Sequence, residues 1–395
     1  MTVIVGFTFG GTATLVGDIL ASSNSPARRY IAIPTVDDPE QTLWEQLGYA
    51  PGLVQKLAFI SPFLCVAWAG SQEGAARVVE EMEFVAGKGP VPKTSFLEYM
   101  DTIPNDSQTG SPSFIVLAVY DSGEVELLAR NARSIKQLPD EMEAFCAGSG
   151  WPEAADLIRK RGALRESGPP GEIALGLAQK LAGTFHGRES APHPDESRVN
   201  PLRKTAQYGA GFEVAILRNG RIEPEAETTL LFWTGRLLET GTLILSPPKL
   251  FIRRDFQRGK LVLRSMRIRK SWSLIATSPR SDQSCINVPR VDTAEARTPD
   301  VVSGVSRSDW PKFPTRYEVH VIRLSIDNGP TVHVTATRPP SDTSDRTLIF
   351  IEIPRRTVVL LNPLPTVALH RDLQQQFTSV DVRAMASQLE DRESG

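Results

Sequence analysis

The sequence predicts an α+β fold in which two β-sheets pack between helices, in an αββα order, followed by a β-rich module. Three observations point there. The chain opens on a β-hairpin, with VIVGFTF (3–9) and TATLVG (12–17) flanking Gly10-Gly11, a pair that takes the positive φ angles of a two-residue turn. Hairpins and helical patterns then alternate up to about residue 222. Beyond about residue 226, strand-like runs dominate.

Residues 20–53 are rich in Ser, Pro, Asp and Gly and read as an excursion from the core. A second hairpin, Gln55–Ile60 and Leu64–Gly70, turns at Ser61-Pro62. Ala75, Val78, Val79 and Met82 fall at i, i+3, i+4 and i+7, which predicts a core-facing helix over about 71–86. Residues 89–112 hold Pro, Gly, Ser and Asn around one short apolar stretch and read as irregular. The strand SFIVLAVY (113–120) turns through Asp121-Ser122-Gly123 into Glu124–Ala129, and a short strand, 142–147, ends in Gly148-Ser149-Gly150. A helix starts near Pro152, where proline suits a first turn, and another covers about 171–185 with Ile173, Leu177 and Leu181 four apart. After a polar insert (186–206), GFEVAILR (211–218) runs into the hairpin pair Asn219-Gly220. The later strand-like runs are 228–233, 242–246, 260–268, 317–326, 331–337 and 347–353, interrupted by a Ser/Pro/Asp-rich stretch at 278–314. Only residues 371–390 read as helical there. The division expected is residues 1–225 and 226–395.

Composition narrows the function classes. The chain has 395 residues, 41% of them hydrophobic, enough for two or three cores. Its 44 basic and 46 acidic side chains leave a net charge of −2, so no whole-chain field draws it to nucleic acid or an anionic membrane. The eight basic residues within 253–270 have Phe256 as their sole aromatic neighbour, and they read as an exposed hairpin face rather than a nucleic-acid surface. Cys65, Cys146 and Cys285 show no CxxC spacing and read as reduced core thiols of a cytoplasmic protein. The five histidines show no ligand spacing, so no metal or cofactor is expected; His320 and His333 read as a cross-strand pair. Asp18 interrupts the apolar start and no basic region precedes it, unlike a signal peptide. No run reaches the roughly 18 apolar residues of a spanning helix.

Thr2 carries the chemistry. Removal of Met1, which a small second residue permits, would leave a hydroxyl and a free amine on one α-carbon, nucleophile and base together. Asp18 follows sixteen residues later in Leu15-Val16-Gly17-Asp18. Lys56 lies in Gln55-Lys56-Leu57, the hairpin after it ends in Ala69-Gly70, and Ser149 sits within Gly148-Ser149-Gly150 before a helix. Singly, each has a plainer reading: a turn aspartate, a strand-edge lysine, a capping serine.

Jointly and in this order, residues 2 to about 222 resemble the N-terminal-nucleophile hydrolases of the proteasome β-subunit and bacterial heat-shock threonine peptidase type. The resemblance implies a four-layer αββα sandwich and a threonine peptidase or amidohydrolase acting through an acyl-enzyme at Thr2. It implies Lys56 as the cation beside Thr2, which eases alkoxide formation and keeps the amine unprotonated, and Asp18 as the partner of Lys56. Gly70 would offer its backbone N–H to the oxyanion, and Ser149 would orient the amine and a water.

The sequence also departs from that family. The stretch Thr205-Ala206-Gln207-Tyr208-Gly209 keeps glycine but lacks the family's supporting aspartate and serine. The Asp18-to-Lys56 interval is longer than the family norm, and residues 226–395 have no counterpart. Two alternatives therefore stay open: a non-catalytic proteasome-like scaffold or binding protein, and an amidase for a small-molecule amide. Homo-oligomerisation is implied by the resemblance only. An unfoldase ATPase partner belongs to the bacterial relative and is not carried over to this chain.

Overall fold

A computed structural model describes residues 2–21, 52–104, 111–138, 142–162, 170–189, 211–238, 242–257, 260–268, 281–291, 300–301, 317–326, 331–338, 347–353, 356–362 and 380–381. The protein is a mixed α/β structure with antiparallel sheets and few helices.

The opening hairpin forms as the turn residues require. Strands β1 (Val3–Phe9) and β2 (Thr12–Asp18) are joined by Gly10 and Gly11, both at positive φ. A short pair, β3 (Leu20–Ala21) and β4 (Gly52–Leu53), closes the base of the 20–53 excursion, most of which lies outside the described residues. Next come β5 (Leu57–Ser61), β6 (Leu64–Ala69) and the helix α1 (Gln72–Ala86), whose Ser71 side chain accepts a hydrogen bond from the Gly74 N–H. Helix α2 (Lys93–Thr102) occupies the stretch expected to be irregular. It is short and buries only Phe96 and Met100, one pair at i, i+4, too little for periodicity to reveal. Strands β7 (Ser113–Val119), β8 (Val125–Arg130), β9 (Arg133–Ser134) and β10 (Met142–Gly148) follow, then helices α3 (Trp151–Gly162) and α4 (Pro170–Glu189). Strands β11 (Phe212–Arg218) and β12 (Arg221–Pro224) meet at Asn219-Gly220, again both at positive φ.

These strands make two sheets, one ordered β12-β11-β2-β1-β10-β9 and one ordered β5-β6-β7-β8. Alternation along each strand sorts its side chains between two faces. In β1, Val3, Val5 and Phe7 pack with Ala154, Ile158, Leu175 and Leu181 of α3 and α4. Ile4 points the other way and joins Leu15, Ala67, Ile115 and Leu117 in a core between the two sheets. The four-stranded sheet turns Val66, Trp68, Phe114 and Val116 toward Ala75, Val79 and Met82 of α1 and Phe96 of α2.

Beyond β12 an eight-stranded sheet begins. Its members are β13 (Thr228–Leu237), β14 (Thr242–Gln257), β15 (Lys260–Ile268), β16 (Ser281–Val288), β17 (Asp300–Val301), β18 (Tyr317–Ile326), β19 (Thr331–Arg338) and β22 (Val380–Asp381). A separate hairpin pairs β20 (Thr347–Ile353) with β21 (Arg356–Asn362). β13 and β18 run parallel and the other pairings are antiparallel. Helix α4 lies against β18 and β19 as well as β1, β2 and β11. That explains why Ala174, Leu175, Leu177, Ala178, Leu181 and Ala182 are all buried: the helix is covered on more than one side.

Four expectations need correction in this half. Val380 and Asp381 form a strand on β14, inside the stretch read as helical; the rest of 371–390 lies outside the described residues. β16 runs through a segment read as a loop, because pairing with β15 gives its polar residues ladder partners. The basic 253–270 stretch is not simply an exposed face, since Arg253 and Arg254 are buried. His320 stands opposite Ala336 and His333 opposite Arg323, so the two histidines do not pair. Instead, the Trp233 indole N–H donates to His320 Nδ1 at 3.2 Å.

Candidate active site

Thr2 is held at the start of β1 and is 3% exposed. Its N–H donates to Ser149 Oγ at 3.2 Å, and its carbonyl accepts from the Gly150 N–H at 3.2 Å and the Ser149 hydroxyl at 3.4 Å. Ser149 is therefore tied to Thr2 rather than acting only as a helix cap. Gly148 allows this approach. It has φ of 85°, and a Cβ there would stand 2.1 Å from the Thr2 carbonyl oxygen, so only glycine fits.

Asp18 ends β2, is fully buried, and accepts the Val3 N–H on Oδ1 at 3.2 Å. The residue just before it, Gly17, lies opposite Ile4 on β1 and Glu213 on β11. A Cβ on Gly17 would be 3.0 Å from Lys56 Cβ, so the absence of a side chain there lets Lys56 pack closely on β2 beside Asp18. Lys56 is buried, and its ammonium lies 3.9 Å from the centroid of the Trp68 ring. Burial pushes the Lys56 amine down to about 8, against the opposing pull of Asp18 and Glu213. Gly70 follows β6 at φ of 106°, exposed, on the strand whose Trp68 N–H donates to Lys56 O at 3.0 Å.

Four of the five expected residues thus form one connected group: Ser149 and Asp18 bond to residues 2 and 3, and Asp18 acts on Lys56. Gly70 joins through β6, the strand paired with β5 just after Lys56. The Thr205–Gly209 segment lies outside the described residues.

Sequence reading missed three members. Glu213 on β11 is fully buried and accepts the Leu57 N–H on Oε1 at 2.6 Å. Burial pushes its carboxyl well above the ordinary range, with the Leu57 and Lys56 N–H groups and Arg254 pulling it back. The second is Arg254 on β14, also buried. It donates to Phe212 O at 2.7 Å and to Gln179 Oε1 and Thr228 Oγ1 at 3.2 Å each. Burial pushes Arg254 down to about 10, opposed by Glu225, Glu213 and Asp255. Third is Gln55, whose side chain reaches Val288 O at 2.8 Å. A glutamate inside the apolar run FEVAI was the visible clue to the first; the other two carry no local mark.

Buried Cys65 and Cys146 are poor nucleophiles, because burial raises both thiols, Cys146 to about 11. Among the described residues no cluster of three His, Cys, Asp or Glu side chains could hold a metal ion. Among the same residues, no helix is long and apolar enough to cross a membrane. Compared with known proteins, the chain matches no family model and no curated protein.

Proposed function

We propose that this chain is a threonine N-terminal-nucleophile hydrolase that cleaves peptide or amide bonds through an acyl-enzyme at Thr2. The observation that carries the reading is the Thr2 N–H hydrogen bond to Ser149 Oγ at 3.2 Å, with Asp18 holding the next N–H and facing Lys56. In this reading residues 1–225 form a four-layer αββα sandwich, and residues 226–395 form a β-rich module. Support comes from helices packed on the outer faces of two facing sheets.

After Met1 removal the nitrogen bonded to Ser149 becomes the α-amine. It takes the proton of the Thr2 hydroxyl as the oxygen attacks the substrate carbonyl. The tetrahedral oxyanion faces Gly70 N–H, and the Lys56 ammonium lowers the energy of the developing charge. Collapse breaks the C–N bond, the proton passes to the leaving amine, and an ester remains on Thr2. A water, activated by the same amine, hydrolyses that ester.

The test uses purified full-length protein. Intact mass establishes whether Met1 has been removed, and a peptide epoxyketone, which needs hydroxyl and amine on one threonine, should add once. Thr2→Ala should abolish the adduct. Mature protein that gives no adduct with varied electrophiles would sink the enzyme reading. The enclosure of Thr2, 3% exposed, favours a second reading, a non-catalytic scaffold, which retention of Met1 in the purified protein would support. Short peptides compared with acylated small molecules separate peptidase from amidase. Homo-oligomerisation rests on the family resemblance and a cytoplasmic location on the reading of the cysteines as reduced core thiols; sedimentation of the mature protein tests the first.

A further inference from the structure

The segment that carries Lys56 is gripped by residues more than 230 positions away in sequence. The Gln55 N–H donates to Pro289 O at 2.9 Å, and its Nε2 donates to Val288 O at 2.8 Å. On the other side the Trp68 indole N–H donates to Gln55 O at 3.1 Å, and that same ring lies under the Lys56 ammonium. Gln55 is buried, so these bonds do not compete with bulk water. Val288 also packs with Ile19 and Leu20, which follow Asp18, and with Leu53, Leu261 and Leu263. The end of β16 therefore touches both strand ends that bring Asp18 and Lys56 together.

We propose that the C-terminal sheet is a working part of the Thr2 site, with Gln55 the positioning residue through which β16 fixes Lys56. This rests on the reading of Thr2 as nucleophile. The charged groups facing Lys56 are Asp18 from β2 and Glu213 from β11, and Arg254 of the C-terminal sheet faces Glu213 in turn. A small displacement of residues 55–57 changes the distance from the ammonium to all of them. Without the β16 anchor, Gln55 keeps only its carbonyl bond to Trp68, and the lysine segment is held by Trp68 and by the Leu57 N–H on Glu213.

The experiment uses full-length protein with ¹³C-labelled lysine. Gln55→Leu removes the donor to Val288 O and keeps the bulk; Val288→Ala loosens the anchor from the C-terminal side. Both variants should move the Lys56 resonance titration away from that of the wild type. Gln55→Leu should slow epoxyketone addition at Thr2 about tenfold to a hundredfold, the range that misplacement near 1 Å produces, and Val288→Ala less. A cooperatively folded Gln55→Leu protein with unchanged Lys56 titration and unchanged addition rate overturns the proposal. Should that variant not fold, Val288→Ala decides by the same criteria. If mature wild-type protein takes up neither the epoxyketone nor other electrophiles, the hydrolase reading fails, while the Lys56 titration still decides whether the C-terminal sheet positions the lysine.

Discussion

At the scale of single residues, the site depends on one missing side chain and one buried cation. Gly148→Ala would place a methyl 2.1 Å from the Thr2 carbonyl in a backbone conformation unfavourable for alanine. The expected loss is at least about 2 kcal/mol of stability, measured by urea unfolding, together with loss of Thr2 labelling. Lys56 supplies a pH dependence. Its amine titrates at about 8 in the folded chain against an ordinary value of 10.5. Between those values the unfolded chain binds the proton and the folded one does not, so stability rises with pH across that window. The size is on the order of 3 kcal/mol. Wild type should therefore gain on Lys56→Met between pH 8 and 10.5 in denaturant titrations; a flat difference would refute this. For the proposed reaction, the free amine sets the acid limb near its reference pKa of about 7.7–8.0, and loss of the Lys56 charge sets the alkaline limb. The rate of Thr2 labelling should be bell-shaped in pH. Lys56→Arg, which keeps its charge, should extend the alkaline side.

At the scale of elements, local chemistry explains most boundaries. Helix α1 begins where Ser71 can cap it, and Ser71→Ala should cost about 1 kcal/mol in thermal unfolding. Its buried face, Ala75, Val79, Met82 and Ala86, leaves Phe84 outside at 90% exposure. Phe84→Ser should consequently change stability by no more than about 0.5 kcal/mol. Both glycine-bearing hairpin turns, Gly10-Gly11 and Asn219-Gly220, were legible because positive φ restricts the residue type directly. Helix α2 was not: Pro92 offers it no side-chain cap, and two buried residues do not make a visible period. β16 was hidden for another reason. Its sequence SDQSCINV is polar, and it forms a strand because β15 lies alongside.

At the scale of the whole molecule, Arg254 and helix α4 join what the sequence suggested were separable parts. Arg254 belongs to the C-terminal sheet yet bonds to Phe212 O on β11 and to Gln179 on α4. Arg254→Met would leave buried Glu213 and Glu225 without that charge, and removing one partner from a buried ionic group typically costs about 3–5 kcal/mol. Unfolding of the wild type followed by both far-UV circular dichroism and tryptophan fluorescence should be a single transition. Two separated transitions would show that the halves unfold independently and that the Arg254 connection matters little.

The sequence by itself determined the glycine turns, the strand and helix order before residue 222 apart from α2, and the strand-end positions of Asp18, Lys56 and Ser149. These depend on φ preference and on periods of 2 and 3.6, both local properties of the chain. Only the tertiary structure decided what surrounds the buried charges. Glu213 meets Leu57, Arg254 meets Phe212 and Gln55 meets Val288 across 156, 42 and 233 residues. A desolvated charge or amide must find a partner wherever folding happens to place one, and no local pattern encodes that distance.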